Sequence, residues 1–266
     1  MQLRVLCVGD VVGSPGRRVL AEAIPVLVSR HQIDCVIVNA ENAAGGSGIT
    51  PAIFEKILHY GVDVVTLGDH LYRRREIISV LETSDRIVRP ANLPAAAPGK
   101  DHTIRVTAHN HRVAVISLLG RMFMKKPSDC PFAAVDRVLA GLPKDAKIII
   151  VDMHAEATSE KIAMGWHLDG RVSVLFGTHT HVATADERVL PKGTAYITDV
   201  GMTGPYDSVL GRYKQRLLSA MIRGLPDALD VATDDVRLCG VIVSIESTTG
   251  LATAIERVQF NGTAGA

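Results

Sequence analysis

The chain has 266 residues, and its 29 Lys and Arg against 28 Asp and Glu give a formal net charge of only +1. This balance leaves no overall attraction to duplex DNA or to a membrane surface. Five Phe, five Tyr and one Trp are few for stacking single-stranded nucleic acid, whereas 47% hydrophobic and 21% charged residues are typical of a globular enzyme or binding domain.

Apolar runs alternate with helical stretches in the first third of the chain. Strands are expected at Leu3–Gly9, Cys35–Asn39 and Val62–Leu67, and helices at Arg17–Arg30, Pro51–Tyr60 and about Arg74–Glu82. Thr50 is placed to cap the second of these helices, with Pro51 at its first position. Strands that are nearly continuous in Val, Ile and Leu indicate a parallel sheet covered by helices.

The alternation continues and then changes at the end of the chain. Strands are expected at His111–Leu118, Lys147–Met153 and Val172–Phe176, and helices near Pro131–Leu142, Thr158–Leu168 and Ser208–Arg223. Val236–Glu246 and Leu251–Phe260 flank a Ser-Thr-Thr-Gly turn and predict a β-hairpin. A terminal hairpin in an α/β chain indicates a mixed sheet or a second sheet. The most linker-like stretch, 92–100, has only nine residues, so we expect residues 1–266 to form one domain.

The sequence predicts a cytoplasmic protein without a membrane partner. The N-terminal apolar run ends at Asp10 and is too short for a signal peptide. No stretch approaches the roughly 20 apolar residues that span a bilayer. The four Cys are well separated and form no CxxC pair, and Cys7 and Cys35, inside apolar runs, are best interpreted as buried free thiols.

Polar side chains gather where five predicted strands end. These ends read Gly9-Asp10, Asn39-Ala40-Glu41-Asn42, Gly68-Asp69-His70, Asp152-Met153-His154 and Gly177-Thr178-His179-Thr180-His181. Ligands of open α/β sheets bind outside the carboxyl ends of strands, so the five segments can converge on one site. Imidazole and carboxylate together suit iron, manganese or zinc. The ligands are too many for one ion but enough for two that share a bridging carboxylate and act on a phosphoryl group.

Each motif also has a simpler interpretation. Asp10 could cap the following helix, Glu41 and Asn42 could be loop residues, and His154 taken alone is more often structural. Two alternating imidazoles at His179 and His181 are the stronger signal. The glycines of GDVVGSPG do not match the GxGxxG spacing of a dinucleotide site, and no Walker loop is present. The basic run 73–75 is most simply a solvated helix start, although an arginine there could reach a phosphate.

The order of these motifs is similar to that of the calcineurin-like metallophosphoesterases. More narrowly, segments along nearly the whole chain resemble the YmdB-type phosphodiesterases. They are GDVVGSPGR, NAENAAGGSGIT, VRPANLP, DMHAEATSEK, GTHTHVATAD, LPKGTAYITDVGMTGPYDSVLG and the terminal hairpin.

This resemblance implies a four-layer αββα sandwich with two mixed sheets. It also implies a dinuclear centre of divalent or trivalent transition metals, iron in the first place and manganese as the alternative. Asp10, Asn42 and His181 would hold one ion, Asp69, His154 and His179 would hold the other, and Glu41 would bridge them. His70 would be the proton donor to the leaving oxygen, a role that suits imidazole near pH 7.

The chain departs from the family's pattern at one ligand. The family has Gly-Asn-His where this chain has Gly68-Asp69-His70. Asp can bind through one carboxylate oxygen, but its added negative charge should weaken the pull of the centre on phosphate. Leu71-Tyr72-Arg73 also replaces the family's Thr-Trp-Asp, which opens the possibility of a changed substrate preference.

The first hypothesis is therefore a metal-dependent phosphodiesterase that hydrolyses 2′,3′-cyclic nucleotides or related phosphodiesters. A metal-bridging hydroxide would attack phosphorus while His70 protonates the departing ribose oxygen. The alternatives are a weakened scaffold that acts as a regulatory or binding protein, and a phosphomonoesterase or nucleotidase. The expected partner is a cyclic nucleotide or an RNA end. The scarcity of aromatic residues favours a small phosphoester over a long RNA, and a homo-oligomer stays possible.

Overall fold

The structure of the protein is a computed structural model that describes residues 2–225 and 229–263. Within these residues the strands, in chain order, are β1 (Gln2–Val8), β2 (Asp10–Val11), β3 (Cys35–Asn39), β4 (Val64–Thr66), β5 (Ile87–Val88), β6 (His102–Val106), β7 (Arg112–Leu119), β8 (Ile148–His154), β9 (Val174–Thr178), β10 (Arg188–Val189), β11 (Ala195–Ile197), β12 (Met202–Pro205), β13 (Val236–Glu246) and β14 (Ala252–Asn261). The α-helices are α1 (Gly13–His31), α2 (Pro51–His59), α3 (Ile78–Thr83), α4 (Pro131–Gly141), α5 (Thr158–Leu168) and α6 (Lys214–Arg223).

The strands form two mixed sheets. The first has the order β2-β12-β13-β1-β3-β4-β5, with β14 also paired to β13. In it β1, β3, β4 and β5 run parallel, whereas β13 is antiparallel to β1. The second has the order β10-β11-β9-β8-β7-β6, with four parallel strands between the antiparallel edge strands β6 and β10.

Three apolar clusters fill the spaces between four layers. Side chains of both sheets, such as Val5 of β1 and Ile150 of β8, form the cluster between the sheets. Leu20 of α1 packs on the outer face of the first sheet, and Met164 of α5 packs on the outer face of the second. Successive residues of a strand point to opposite faces of the sheet. A strand that is apolar at every position therefore has apolar side chains on both faces, and both are buried. The four-layer αββα sandwich predicted from the sequence is confirmed.

Most predicted elements are present, with small shifts at their ends. The Thr50 hydroxyl accepts a hydrogen bond from the Ile53 N–H at 3.2 Å, and Pro51 opens α2, as predicted. The helix predicted at Arg74–Glu82 is a short 3₁₀ turn, Arg75–Ile77, followed by α3.

One predicted element was wrong in extent. The last helix was expected from Ser208 but begins at Lys214. The Ser208 hydroxyl instead donates to Pro205 O and accepts from the Gly211 N–H, which stabilises a turn. Six strands of five residues or fewer were not predicted: β2, β5, β6, β10, β11 and β12. Within the described part of the chain, every helix is too short or too polar to cross a bilayer.

Candidate metal centre

Five strands end at one edge of the sandwich. β1, β3 and β4 are parallel neighbours in the first sheet, and β8 and β9 are parallel neighbours in the second. Their carboxyl ends therefore meet where such sheets bind ligands. The structure brings all eight predicted site residues together at this edge: Asp10, Glu41, Asn42, Asp69, His70, His154, His179 and His181.

Four of these side chains form a cluster that could hold a metal ion. One nitrogen or oxygen atom from each lies within 4.8 Å of the others: Glu41, Asp69, His154 and His179. His154 Nε2 lies 3.2 Å from Glu41 Oε1 and 3.3 Å from Asp69 Oδ1. The same nitrogen lies 3.0 Å from His179 Nδ1. Nitrogen and carboxylate donors packed this closely suit a transition-metal ion.

Asp10, Asn42 and His181 adjoin this cluster through Glu41. Asn42 Nδ2 lies 3.3 Å from Glu41 Oε1 and 3.2 Å from His181 Nε2, and Asp10 Oδ1 lies 3.8 Å from the same imidazole nitrogen. Asp10 Oδ1 is fully buried and accepts no hydrogen bond. A buried carboxylate oxygen without a donor is costly, and a cation beside it would remove that cost. This oxygen therefore fits a second metal ion.

The Asn42 amide shows one difference from the expected arrangement. Its nitrogen faces Glu41 and His181, while its oxygen lies 2.8 Å from His70 Nδ1. Because only the amide oxygen coordinates a metal, coordination would require the oxygen and nitrogen to exchange places. Such an exchange needs only a rotation about the last side-chain bond.

The hydrogen bonds of His154 leave its Nε2 lone pair available. The Thr178 hydroxyl donates to Asp152 Oδ1 at 2.7 Å and lies 2.8 Å from His154 Nδ1, so it accepts the Nδ1 proton. Asn39 Nδ2 donates to Asp152 Oδ2 at 3.0 Å. The Thr66 hydroxyl donates to the same oxygen at 2.5 Å. Partners of this kind fix the tautomer and the ring orientation of metal-binding histidines.

The segment after β9 has an unusual backbone. His179 has φ 97° and His181 has φ 64°, in a region that residues other than glycine seldom occupy and that is found often at functional sites. The buried Lys161 ammonium donates to Thr178 O and to Asp199 Oδ2, both at 2.7 Å. Asp199 in turn accepts from the Thr180 N–H at 3.1 Å. This buried ion pair holds the segment that bears both histidines.

Burial and mutual charge shift the pKa values of the site. Burial raises the pKa of Asp10, and the nearby His181 and His154 only partly offset it. Burial acts to lower the pKa of His154, but the carboxylates around it outweigh burial and raise this pKa well above its usual value. Burial, together with the His154 charge, lowers the pKa of His179 to about 4. The carboxylates thus attract positive charge, which a proton on His154 or a metal ion can supply.

Gly68 allows the two sheets to approach closely at the site. A Cβ atom there would lie 2.2 Å from His154 Cδ2 and 2.4 Å from Glu41 Oε2. No real side chain tolerates such contacts without displacement of its neighbours. Glycine at this position is therefore required for the cluster itself.

A cavity of about 810 Å³ opens beside His70, whose side chain is 28% exposed. Sequence reasoning missed most of its walls, which are formed by Tyr72, Arg73, Phe123, Met124, Lys125, Lys126 and Glu156. It also missed that Glu156 Oε2 lies 3.1 Å from His179 Nε2. Only Tyr72 and Arg73 had a signal, in the segment after the third strand end that departs from the family's pattern and begins the basic run.

Comparisons with known proteins agree with this fold and identify the family of the chain. The chain is 46% identical to a 2′,3′-cyclic-nucleotide 2′-phosphodiesterase of Bacillus subtilis, over 97% of each protein. A crystal structure of a hypothetical protein from Thermus thermophilus superposes with a TM-score of 0.91 at 38% identity, covering 98% of this chain and 100% of that one. A crystal structure of a novel phosphatase from Mycoplasma pneumoniae superposes with a TM-score of 0.92 at 32% identity, covering 98% of this chain and 94% of that one. The sequence model of the YmdB-like proteins matches residues 6–258, and the chain therefore belongs to the YmdB-like protein family.

Proposed function

We propose that this chain is a metal-dependent phosphodiesterase that hydrolyses 2′,3′-cyclic nucleotides. The observation that carries the proposal is the convergence of carboxylates and imidazoles from both sheets in one cluster, beside the buried Asp10 Oδ1 that accepts no hydrogen bond within the described residues. The Bacillus subtilis relative, which is 46% identical over 97% of this chain, has a name that describes this activity.

The proposed ligand sets of the two metal ions follow from the distances between the donor atoms of the site. Asp69, His154 and His179 hold one ion, since their donor atoms lie within 4.8 Å of one another. Asp10, Asn42 and His181 would hold the other ion, and Glu41 Oε1 lies between the two sets, 3.3 Å from Asn42 Nδ2 and 3.2 Å from His154 Nε2. When bound, two transition-metal ions would polarise the phosphoryl group and lower the pKa of a bound water. Iron is the metal we propose, with manganese as the alternative.

His70 is proposed as the proton donor to the departing ribose oxygen. Its Nδ1 lies 2.8 Å from Asn42 Oδ1, and its Nε2 lies 3.7 Å from Asp69 Oδ2. The ring lines the large cavity, where it can meet a leaving group of the substrate. Two oriented nitrogens beside a cavity are what a general acid needs.

The test is elemental analysis of the purified protein together with a substrate panel. We expect two metal ions per chain and hydrolysis of adenosine 2′,3′-cyclic phosphate and of a bis-aryl phosphate, with little hydrolysis of phosphomonoesters. His181→Ala should lower metal content and activity, whereas His59→Ala, at an exposed histidine of α2, should change neither. Equal activity of wild type and His181→Ala would contradict the proposal. Preference for monoesters would favour the nucleotidase alternative.

The variant Asp69→Asn distinguishes two hypotheses, an active enzyme and a weakened scaffold that acts as a regulatory or binding protein. The Asp69 carboxylate lies within the cluster, 3.3 Å from His154 Nε2, so we propose that it acts as a ligand in the native enzyme. Full turnover by the native chain would exclude the regulatory alternative. A large gain of turnover on Asp69→Asn would instead support a damped enzyme. The single domain and the cytoplasmic location expected from the sequence stay predictions.

A further inference from the structure

The cavity beside the candidate metal centre extends beyond the phosphoester site. Asp69, His70 and His179 line one side of it, and residues 72–73 and 123–126 form the rest. Its volume of about 810 Å³ is in the upper part of the range for small-molecule sites. A ligand that fills it must reach well past the group that reacts.

Three cations line this cavity without carboxylate partners. Arg73, Lys125 and Lys126 all face it, and within residues 2–225 and 229–263 none of them forms an ion pair. The Lys126 ammonium lies 5.2 Å from the centre of the Tyr72 ring. Two carboxylates also line the cavity. Glu156 already faces His179 Nε2 at 3.1 Å, and Asp69 lies in the candidate metal cluster, 3.3 Å from His154 Nε2. In a chain of net charge +1, the three cations are therefore a local excess of positive charge that suits an anion.

The aromatic ring of Phe123 lines the same cavity. Phe123 is 81% exposed and has φ 64°. Exposure of a phenyl ring and a left-handed backbone at a bulky residue are both unfavourable, and such strain is found often at ligand-binding sites. Aromatic side chains beside basic groups are how proteins hold unpaired nucleotide bases.

We propose that the cavity binds a nucleoside 2′,3′-cyclic phosphate that carries a second phosphate on its 5′ side. The proposal rests on the proposed function, because it places the cyclic phosphate at the candidate metal centre. The base then packs on Phe123, and the 5′-phosphate pairs with Arg73, Lys125 and Lys126. A nucleoside with the cyclic phosphate alone would leave these three cations without a partner. The substrates with this chemistry are RNA ends and 5′-phosphorylated mononucleotides.

The test compares three substrates with the metal-loaded, full-length protein. They are adenosine 2′,3′-cyclic phosphate, its 5′-phosphorylated form and the ApA dinucleotide that ends in the cyclic phosphate. We expect the 5′-phosphate to raise kcat/KM by about tenfold, since three surface charge pairs that each contribute about twofold multiply to about that factor. The triple variant Arg73→Ala, Lys125→Ala, Lys126→Ala should bring this ratio close to one. The exposed control Lys144→Ala should keep it.

Each variant is judged by the ratio of its kcat/KM values for the substrates with and without the 5′-phosphate. A general loss of activity lowers both values and therefore leaves this ratio unchanged. Phe123→Ala should raise KM for all three substrates by about tenfold without a change in their ratio. A ratio near one in the wild type, or a ratio that survives the triple variant, would overturn the proposal. A dinucleotide that exceeds the 5′-phosphorylated mononucleotide would assign RNA ends as the substrate. Equal kcat/KM values for the dinucleotide and the 5′-phosphorylated mononucleotide would support the subsite with mononucleotides as its ligands.

A binding measurement separates this inference from the proposed function. Calorimetry should show that adenosine 3′,5′-bisphosphate binds about tenfold more tightly than adenosine 3′-monophosphate, and that the triple variant removes the difference. If no cyclic phosphate is hydrolysed but this difference is present, the proposed function fails and the subsite stands. If hydrolysis is normal and the two compounds bind equally, the subsite fails alone.

Discussion

The buried Lys161–Asp199 pair offers a direct test of how the fold positions the site. Lys161 Nζ and Asp199 Oδ2 are 2.7 Å apart, and both side chains are almost completely inaccessible to solvent. Lys161→Met keeps much of the side-chain volume but removes the positive charge. The Asp199 carboxylate would then be a buried charge with no cation beside it. It would keep only hydrogen bonds such as those from Thr180 and Gly201 N–H.

Removal of one partner from a buried ion pair costs about 3–5 kcal/mol, chiefly because the remaining charge is uncompensated. We therefore expect Lys161→Met to lower the free energy of unfolding by about that amount. The double variant Lys161→Met, Asp199→Asn should lose less than the single variant, since no buried charge remains and the Asn oxygen can still accept from the Thr180 N–H. The control Lys144→Met, at an exposed lysine, should stay within about 0.5 kcal/mol of wild type.

Urea denaturation of these four proteins and of the single variant Asp199→Asn measures these free energies, and metal analysis gives a second readout. Because the pair holds the segment between His179 and His181, Lys161→Met should also weaken metal binding. A loss below about 1 kcal/mol in the single variant would refute the argument for an uncompensated charge. A double variant that loses the sum of the two single effects would show that the residues do not interact.

Three further outcomes follow from the geometry. Asn39→Ala removes the amide that lies beside both Asp152 and His154, so metal affinity should fall about 10–100-fold, and an unchanged metal titration would contradict this role. Gly68→Ala places a Cβ 2.2 Å from His154 Cδ2, and we expect loss of metal with the far-ultraviolet circular dichroism preserved. His70→Asn should lower kcat by about 100-fold or more with metal content unchanged; a simultaneous loss of metal would mean that His70 is a ligand.

Much of the fold could be predicted because its signals are local. A strand such as Cys35–Asn39 is apolar throughout, since both of its faces are covered. The start of α2 is fixed by Thr50 and Pro51, which act within one turn. Elements that depend on distant partners were harder to predict. β2 and β12 pair across nearly 200 residues of sequence, and no local pattern indicates a strand of two residues.

The sequence could predict that the eight candidate site residues lie together, because parallel strands place their carboxyl ends at one edge. The supporting role of the residues behind them could not be predicted in the same way. Asn39, Thr66 and Asp152 hold one another and His154 across the two sheets. Asn39 and Asp152 belong to the strand-end segments that the sequence singles out and Thr66 does not, but the role of all three exists only once the sheets have packed.

The large cavity shows most clearly why an average property of a sequence cannot determine what a site binds. A low overall number of aromatic residues favoured a small phosphoester over RNA, yet a single exposed ring at Phe123 lies in the cavity. In the same way, a net charge of +1 conceals three cations at this cavity that form no ion pair with any described residue. A base needs one ring to stack on and a phosphate needs a few cations within reach. The proposed subsite therefore depends on the positions of Phe123, Arg73 and the two lysines, which two distant segments bring together, and not on the totals for the chain.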